Sequence, residues 1–387
     1  MINNGSFDQI ASEITICGPE YQYTNCHHNN SIEMKTSTRI NEMVGWRTRF
    51  FLTCPLPVAK MAIGALATSE SIHPVDWRSL EIKPPHMLAL DLTEFCNSAC
   101  SFCCYKTSSP RFQMSDDIFF KATEQFHDAG GRKVRLNAMT GEPLLNPTFF
   151  KKTAFLRSLG TFDQVFLTTN GILLNKGDAV ESLINSGITD VEISTAGFEK
   201  ATYERYMGVR RYDEFFSGLR MLLERDQESG YPVAIEIGVR GLLDVVDHDD
   251  FWTYIYPHIQ ASKGKVTISF LRLYLDWIGR VRKQDLPKNC GFHVKSHIRM
   301  KPCMASFLLC VRANGDLRIC PNNWGAKDRS DELTIGNLNS SSLMEAWNSE
   351  ITRRSRRTTY GLNCCEPCAR CLWYRPISKS GGRWNLP

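Results

Sequence analysis

Between residues 87 and 271 short apolar, β-branched runs alternate six times with amphipathic helical segments, and that rhythm leaves few folds open. Strands are expected at Met87–Leu92, Lys133–Ala138, Gln164–Thr169, Thr189–Ser194, Val233–Val239 and Lys265–Leu271. The helices between them carry their own punctuation. Ser115-Asp116-Asp117 caps one that stops at Gly130-Gly131, Asn146-Pro147 opens one that stops at Gly160, and Ser186-Gly187 ends a third. Successive β/α units require a parallel sheet with right-handed crossovers, here an α/β fold curved into a partial (β/α)6 TIM-like barrel. Active sites of such folds lie at the carboxyl ends of the strands.

The rhythm covers residues 87–285 and then fails. Beyond it come a hairpin across Asn314-Gly315, a short helix near Ser342–Asn348 and an Arg-rich stretch at 353–357, so a boundary is placed near 285–300. Residues 286–387 then form a small Cys-rich α+β domain. Residues 1–43 are polar and Asn-rich and read as a loosely ordered leader, in which His27 and His28 are solvated. Residues 44–86 read as a helix-and-loop extension broken by Pro55, Pro57, Pro74, Pro84 and Pro85.

Composition narrows the function classes. The chain has 46 Lys and Arg against 41 Asp and Glu, a net charge of +5, too small for a dedicated nucleic-acid binder. The longest apolar run, Phe50 to Thr68, holds Pro55, Pro57 and Lys60, so no membrane span is expected. The N-terminus lacks the pattern of a signal peptide, which points to the cytoplasm. Of 15 Cys, four lie between 96 and 104 and seven between 303 and 371, and clustered thiols in a reducing compartment favour metal over disulfides.

In LDLTEFCNSACSFCCY, Cys96, Cys100 and Cys103 form C-x3-C-x2-C at the end of the first strand. Three thiolates on one loop suit an iron–sulfur cluster with one iron left open, whereas structural zinc asks for four closed ligands. The segment resembles the cluster loop of the radical S-adenosylmethionine (SAM) superfamily, with Phe102 as the aromatic residue before the third Cys. The resemblance implies a [4Fe–4S] cluster whose open iron is chelated by SAM. Reductive cleavage of SAM would then give a 5′-deoxyadenosyl radical that abstracts hydrogen from substrate. NAMTGEP at the second strand end is similar to the family's Gly-Gly-Glu-Pro motif, with Thr140 in place of the first Gly and Gly141, Glu142 and Pro143 kept. The ends of the third strand (Thr168 to Gly171) and the fourth (EISTAG) resemble family strands that contribute polar groups to SAM, with Ser194 the candidate for a ribose or carboxylate contact and Asn170 and Arg240 ranked behind it. Many relatives carry an Asp two residues after that Ser, where this chain has Ala196, so that carboxylate's role does not transfer.

Downstream, Cys303-x11-Gly315-x4-Cys320 is followed by Cys364-Cys365-x2-Cys368-x2-Cys371. This resembles the auxiliary-cluster modules called SPASM or, when shorter, Twitch domains. No Cys lies beyond 371, which implies one auxiliary [4Fe–4S] cluster, held by Cys303, Cys320, Cys368 and Cys371 with Cys310 and Cys365 as substitutes. A zinc ribbon on the same thiols is the alternative, and a zinc-stabilised binding protein is the non-enzymatic reading.

Cys104 and Cys290 remain as hydrogen-donor candidates by analogy with related epimerases, and packing is the bland reading of both. Arg353, Arg354, Arg356 and Arg357 read as solvated surface, and Phe215 and Phe216 as helix core. No catalytic acid or base is identifiable. The expected substrate is a small natural product such as a sugar, aminocyclitol or nucleoside, undergoing oxidation, epimerisation or rearrangement; a ribosomally made peptide is the alternative. The expected protein partner is an electron donor such as flavodoxin or ferredoxin.

Overall fold

The computed structural model describes residues 84–107, 111–137, 140–160, 162–242, 246–296, 299–321, 332–361, 364–376, 378–380 and 383–385. The leader expected at 1–43 and the extension up to residue 83, with His27, His28, Cys17, Cys26 and Cys54, lie outside them. Strands β1 (Met87–Leu90), β2 (Lys133–Arg135), β3 (Gln164–Thr169), β4 (Asp190–Thr195), β5 (Ala234–Val239) and β6 (Val266–Phe270) pair in parallel in sequence order. Helices α1 (Asp116–Asp128), α2 (Phe149–Leu159), α3 (Ala179–Ile184), α4 (Lys200–Met207), α5 (Tyr212–Glu228) and α6 (Tyr256–Ala261) lie in the crossovers. This is the expected α/β partial barrel, with β6 left as an edge.

Alternation within the strands divides the layers. Val165 and Leu167 of β3, Val191 and Ile193 of β4 and Ile235 and Ile237 of β5 are buried, as are Phe119 and Phe126 of α1 and Phe215, Leu219, Leu222 and Leu223 of α5. The alternate residues, among them Arg135, Thr168, Glu192, Ser194 and Glu236, are polar and, together with Arg240 and Ser269, are hydrogen-bonded inside the barrel. Gly238 makes room there, since a Cβ would stand 2.9 Å from Glu192 Oε1.

Local signals held with small shifts. Ser115 Oγ accepts from Ile118 N as the cap of α1, and Gly160, at φ 85°, ends α2. The start of α2 is shifted from expectation: the cap position is Thr148, while Asn146, two residues earlier, accepts from Thr148 N through Oδ1 at 3.1 Å and donates through Nδ2 to Leu92 O at 2.8 Å. The ladder of β1 continues past Leu90 only through Asp91 N, which donates to Val311 O.

The Asn314-Gly315 hairpin is present as β9 (Leu308–Val311) and β10 (Asp316–Arg318), after the short strands β7 (Leu273–Tyr274) and β8 (Gly291–Phe292). β9 pairs in parallel with β1, Met87 opposite Leu308, so strands on both sides of the expected boundary share one sheet. That sheet has nine strands in the order β11-β10-β9-β1-β2-β3-β4-β5-β6, ending at β11 (Thr334–Asn337). Helices α7 (Leu343–Trp347), α8 (Glu350–Arg357) and α9 (Glu366–Arg370) follow, α7 opened by a Ser342–Glu345 capping box. The Arg-rich stretch is not uniformly solvated. Arg356 is buried, its guanidinium 4.1 Å over the Trp347 ring, while Arg353 and Arg357 pair with Glu350. Among the described residues no helix is long and apolar enough to cross a membrane.

A fully buried ion pair fastens the hairpin to the loop after β1. Arg312 Nη2 donates to Glu94 Oε1 at 2.7 Å, and Glu94 Oε2 accepts from Phe112 N. Removing one partner strands a desolvated charge. Arg312→Met is therefore expected to lower stability by about 3–5 kcal/mol in urea denaturation, against under about 1 kcal/mol for Arg357→Met at an exposed pair.

Candidate active site

Cys96, Cys100 and Cys103 stand on the loop after β1 and line one cavity of about 260 Å³ at the carboxyl ends of the strands. Backbone bonds to the end of α4 hold the loop: Ala99 N donates to Met207 O (3.1 Å), Ser101 N to Tyr206 O (2.8 Å) and Ser98 Oγ to Met207 O (2.6 Å). Gly208 then turns away at φ 66°, and a Cβ there would lie 2.2 Å from Ala99 O. Tyr105 OH accepts from Cys96 N and donates to Cys96 O, both at 3.1 Å, with the Arg111 guanidinium over its ring.

Every residue expected to meet the cofactor lines the same cavity: Phe102, Thr140, Gly141, Glu142, Asn170 and Ser194. Gly141 is required for a reason other than ligand approach. At φ 98° it packs on the β1 loop, where a Cβ would stand 2.0 Å from Thr93 O. Glu142 is buried and ties three strand ends together, accepting from Thr169 Oγ1 (2.6 Å), Asn170 N (2.7 Å) and Leu144 N (3.2 Å) while its own N donates to Phe95 O. Asn170 Nδ2 donates to Asn97 Oδ1 at 2.7 Å and lies 3.9 Å from Cys96 Sγ. Ser194 Oγ accepts from Arg240 Nε at 2.9 Å, and Arg240 Nη2 donates to Glu192 Oε1 at 2.6 Å. Burial alone would raise Glu192, but Arg240, Arg135 and the Thr168 hydroxyl outweigh it and keep the carboxyl below its usual range.

Cys104 and Cys290, the hydrogen-donor candidates, are buried and are not among the residues that line this cavity. Cys104 is hydrogen-bonded to Cys103, and Ala196 is buried core. The residues that sequence reasoning missed add a further wall: Tyr274, Leu275 and Trp277, with His293 and Trp373 from distant segments. Tyr274 and Trp277 follow β6, and their place beyond a strand's carboxyl end was the available signal. Trp277, Ile278 and Gly279 are consecutive left-handed residues, at φ 52°, 59° and 81°, held by Asp276 Oδ1 on Ile278 N and by Arg370 Nη2 on Ile278 O. Burial, aided by Arg375, pushes the His293 imidazole down to about 4, so it is neutral at physiological pH.

A second group of thiols adjoins that wall. Cys303, Cys320 and Cys371 pack with Ala305, Leu275 and Trp373, and Cys371 Sγ accepts from Trp373 N at 3.2 Å. Cys368 is raised by its hydrogen bond with Cys365, by burial, and by Cys365, Cys320 and Cys303 nearby, which places it in the same group. Cys310 is buried in β9 with Asp91 and also Cys320 within electrostatic reach, and Cys364 Sγ donates to Gly361 O at 3.3 Å.

The donor chemistry of both groups fits iron–sulfur clusters. All donors are thiols, and N–H groups point at sulfur, Tyr105 N on Cys103 Sγ and Trp373 N on Cys371 Sγ. Burial pushes Cys96 and Cys100 up to about 12, so without metal charge these thiols keep their protons. Among the described residues no three His, Cys, Asp or Glu side chains are gathered as round a single ion. A cubane does not ask for that, since each thiolate meets a separate iron.

Comparison with known proteins agrees. The family model of the radical SAM superfamily matches residues 90–243, and that of SPASM, an iron–sulfur cluster-binding domain, matches 303–372. The chain belongs to the radical SAM superfamily of enzymes and carries a SPASM domain. With that membership come a [4Fe–4S] cluster and SAM for the radical SAM domain and an iron–sulfur cluster for the SPASM domain. A GTP 3′,8-cyclase of Pasteurella multocida (strain Pm70) is 28% identical over 176 residues, 44% of this chain and 50% of that protein. One of Clostridium perfringens (strain SM101 / Type A) is 27% identical over 143 residues, 36% of this chain and 43% of that protein. The match thus spans about half the length of the curated relatives or less. Streptococcus suis SuiB, solved bound to the precursor peptide SuiA, superposes with a TM-score of 0.52 at 14% identity over 91% of this chain and 79% of that one, a likeness of fold.

Two predictions follow from the loop supports. Gly208→Ala would drive the cluster loop off α4, so reconstituted protein should fall from about eight irons toward about four, with the auxiliary signal kept in electron paramagnetic resonance (EPR) spectra. Burial pushes the Glu142 carboxyl up to about 7 despite its three hydrogen bonds. The folded state therefore keeps a proton that the unfolded chain loses near pH 4, and stability falls as pH rises from there to about 7. In the cluster-free protein Glu142→Gln should remove this fall, on the order of 3 kcal/mol between pH 4 and pH 8 by urea denaturation.

Proposed function

We propose that this protein reductively cleaves SAM and uses the resulting radical to abstract hydrogen from an unactivated C–H bond of a small organic substrate. The observation that carries the reading is the single cavity lined by Cys96, Cys100 and Cys103 together with Glu142, Asn170, Ser194 and Arg240. When bound, the open cluster and SAM supply the electron transfer and the hydrogen-abstracting carbon radical. The chain's own groups fix where that happens. Cys96, Cys100 and Cys103 are the proposed ligands of the first cluster, and Ser194 and Arg240 the proposed contacts of the cofactor's ribose or carboxylate. Gly141, Glu142 and Asn170 hold the loops around it. The apolar wall of Leu271, Leu273, Leu275, Trp277 and Trp373 keeps water from the reacting atoms.

Cys303, Cys320, Cys368 and Cys371 are proposed to hold the auxiliary cluster, separated from the cavity by Trp373. An oxidation is the outcome best served by a cluster so near. The electron for SAM cleavage is proposed to come from a flavodoxin or ferredoxin in the cytoplasm. Because the curated relatives are cyclases of GTP by name, nucleotides head the small molecules to be tried. The second reading, a ribosomally made peptide as substrate, is favoured by the likeness to SuiB over most of the chain. Deuterium transfer from labelled candidates into 5′-deoxyadenosine separates the two. The primary test is simpler: anaerobically reconstituted protein should hold about eight irons and, given dithionite and SAM, release 5′-deoxyadenosine. Cys96→Ala should release none, and release at the wild-type rate would defeat the assignment.

A further inference from the structure

The hydroxyl of Tyr274 is buried, with the residue only 4% exposed, yet it has no hydrogen-bond partner among the described residues. Leaving a phenol dry and unpaired is costly, and such groups are rare without a ligand to meet. The residue lines the cavity beside Phe102, their ring centroids 5.4 Å apart, on a wall fixed by His293 N donating to Tyr274 O at 3.0 Å. Its surroundings say what the ligand atom is. Burial raises the phenol, with the charge of Arg240 pulling the other way and Cys100 also within electrostatic reach, so the group stays protonated and can donate. Arg240 offers only donors, and it too lines the cavity. Arg240 already donates to Ser194 Oγ and Glu192 Oε1, so it adds positive charge beside a phenol that has no acceptor of its own, and that combination suits an anionic oxygen.

Resting on the radical SAM reading above, we propose that Tyr274 is a cofactor-binding residue whose hydroxyl donates a hydrogen bond to the carboxylate of SAM, on the cluster side of the cavity near Cys100 and Arg240. The carboxylate is the one anionic group that SAM carries, and its place by the cluster loop agrees with the packing of the Tyr274 ring on Phe102, the residue before Cys103.

The test compares reconstituted wild-type enzyme with Tyr274→Phe by equilibrium dialysis against SAM and against decarboxylated SAM, both proteins checked for equal iron. The variant should raise the Kd for SAM roughly tenfold to a hundredfold, as for loss of a hydrogen bond to a charged group, and change that for decarboxylated SAM less than about twofold. Equal SAM affinity in the two proteins overturns the proposal, and so does an equal loss with both ligands. Failure of the wild type itself to bind SAM would sink the underlying functional reading instead. A second readout does not depend on the cofactor. Because the hydroxyl has no protein partner, the cluster-free variant should melt at or above the wild-type temperature, and a clear drop would show that the hydroxyl is held by the protein after all.

Discussion

The grip of the α4 terminus on the loop after β1 is the contact on which the site depends. Three thiols on eight residues of irregular backbone have no intrinsic reason to face one way. Here the N–H groups of Ala99 and Ser101 and the Ser98 hydroxyl bond to the carbonyls of Tyr206 and Met207. Those are carbonyls that a helix end leaves without partners, so the loop and the helix satisfy each other. Close approach is possible only because Gly208 lacks a Cβ, and on the other flank only because Gly141 does. Asn170 and Glu142 close the arrangement by tying the end of β3 to the same loop.

A second constraint acts beneath the loop. The barrel interior is polar on the faces of β2 to β5, and polar groups buried there are tolerable only when they bond to one another. Arg135, Thr168, Glu192, Ser194 and Arg240 do so, with Ser269 bonded to Glu236 beside them. The ordering leaves Ser194 and Arg240 at the top, where they line the cavity, while Glu192 is committed to holding the guanidinium. The auxiliary module is built on the same frame. β9 adds to β1 in register, so Arg312 reaches Glu94, two residues before the first thiol. Changes in the hairpin are thereby felt at the cluster loop.

Much of this was legible in the chain because it is local. The strands, the Ser115 cap, the Gly160 stop and the Asn314-Gly315 turn each follow from residues within a few positions. The thiol loop was readable because its spacing suits three corners of a cluster, and the Gly-Glu-Pro turn because it resembles a family motif at the expected strand end. What sequence could not show is set by contacts across long separations. Gly141 and Gly208 look like ordinary turn glycines until Thr93 O and Ala99 O are seen against them. The parallel pairing of β9 with β1 has no signature, since any apolar run fits a strand edge. Arg356 stands in a charge run yet is buried by Trp347 and Phe307, and His293 and Trp373 reach the cavity from segments 80 residues apart in number. Asn146 does double duty that local sequence shows only in part, its oxygen accepting from Thr148 N while its amide donates to Leu92 and Met114.

The account stands or falls on whether SAM sits on the open iron of the cluster held by Cys96, Cys100 and Cys103. Pulse electron–nuclear double resonance on the reduced, reconstituted enzyme, with SAM labelled at its amino group with ¹⁵N, addresses that contact without any substrate. The account predicts a ¹⁵N hyperfine coupling to one cluster that vanishes when the label is omitted. Two fully assembled, reduced clusters with no such coupling, and a spectrum indifferent to SAM, would contradict it.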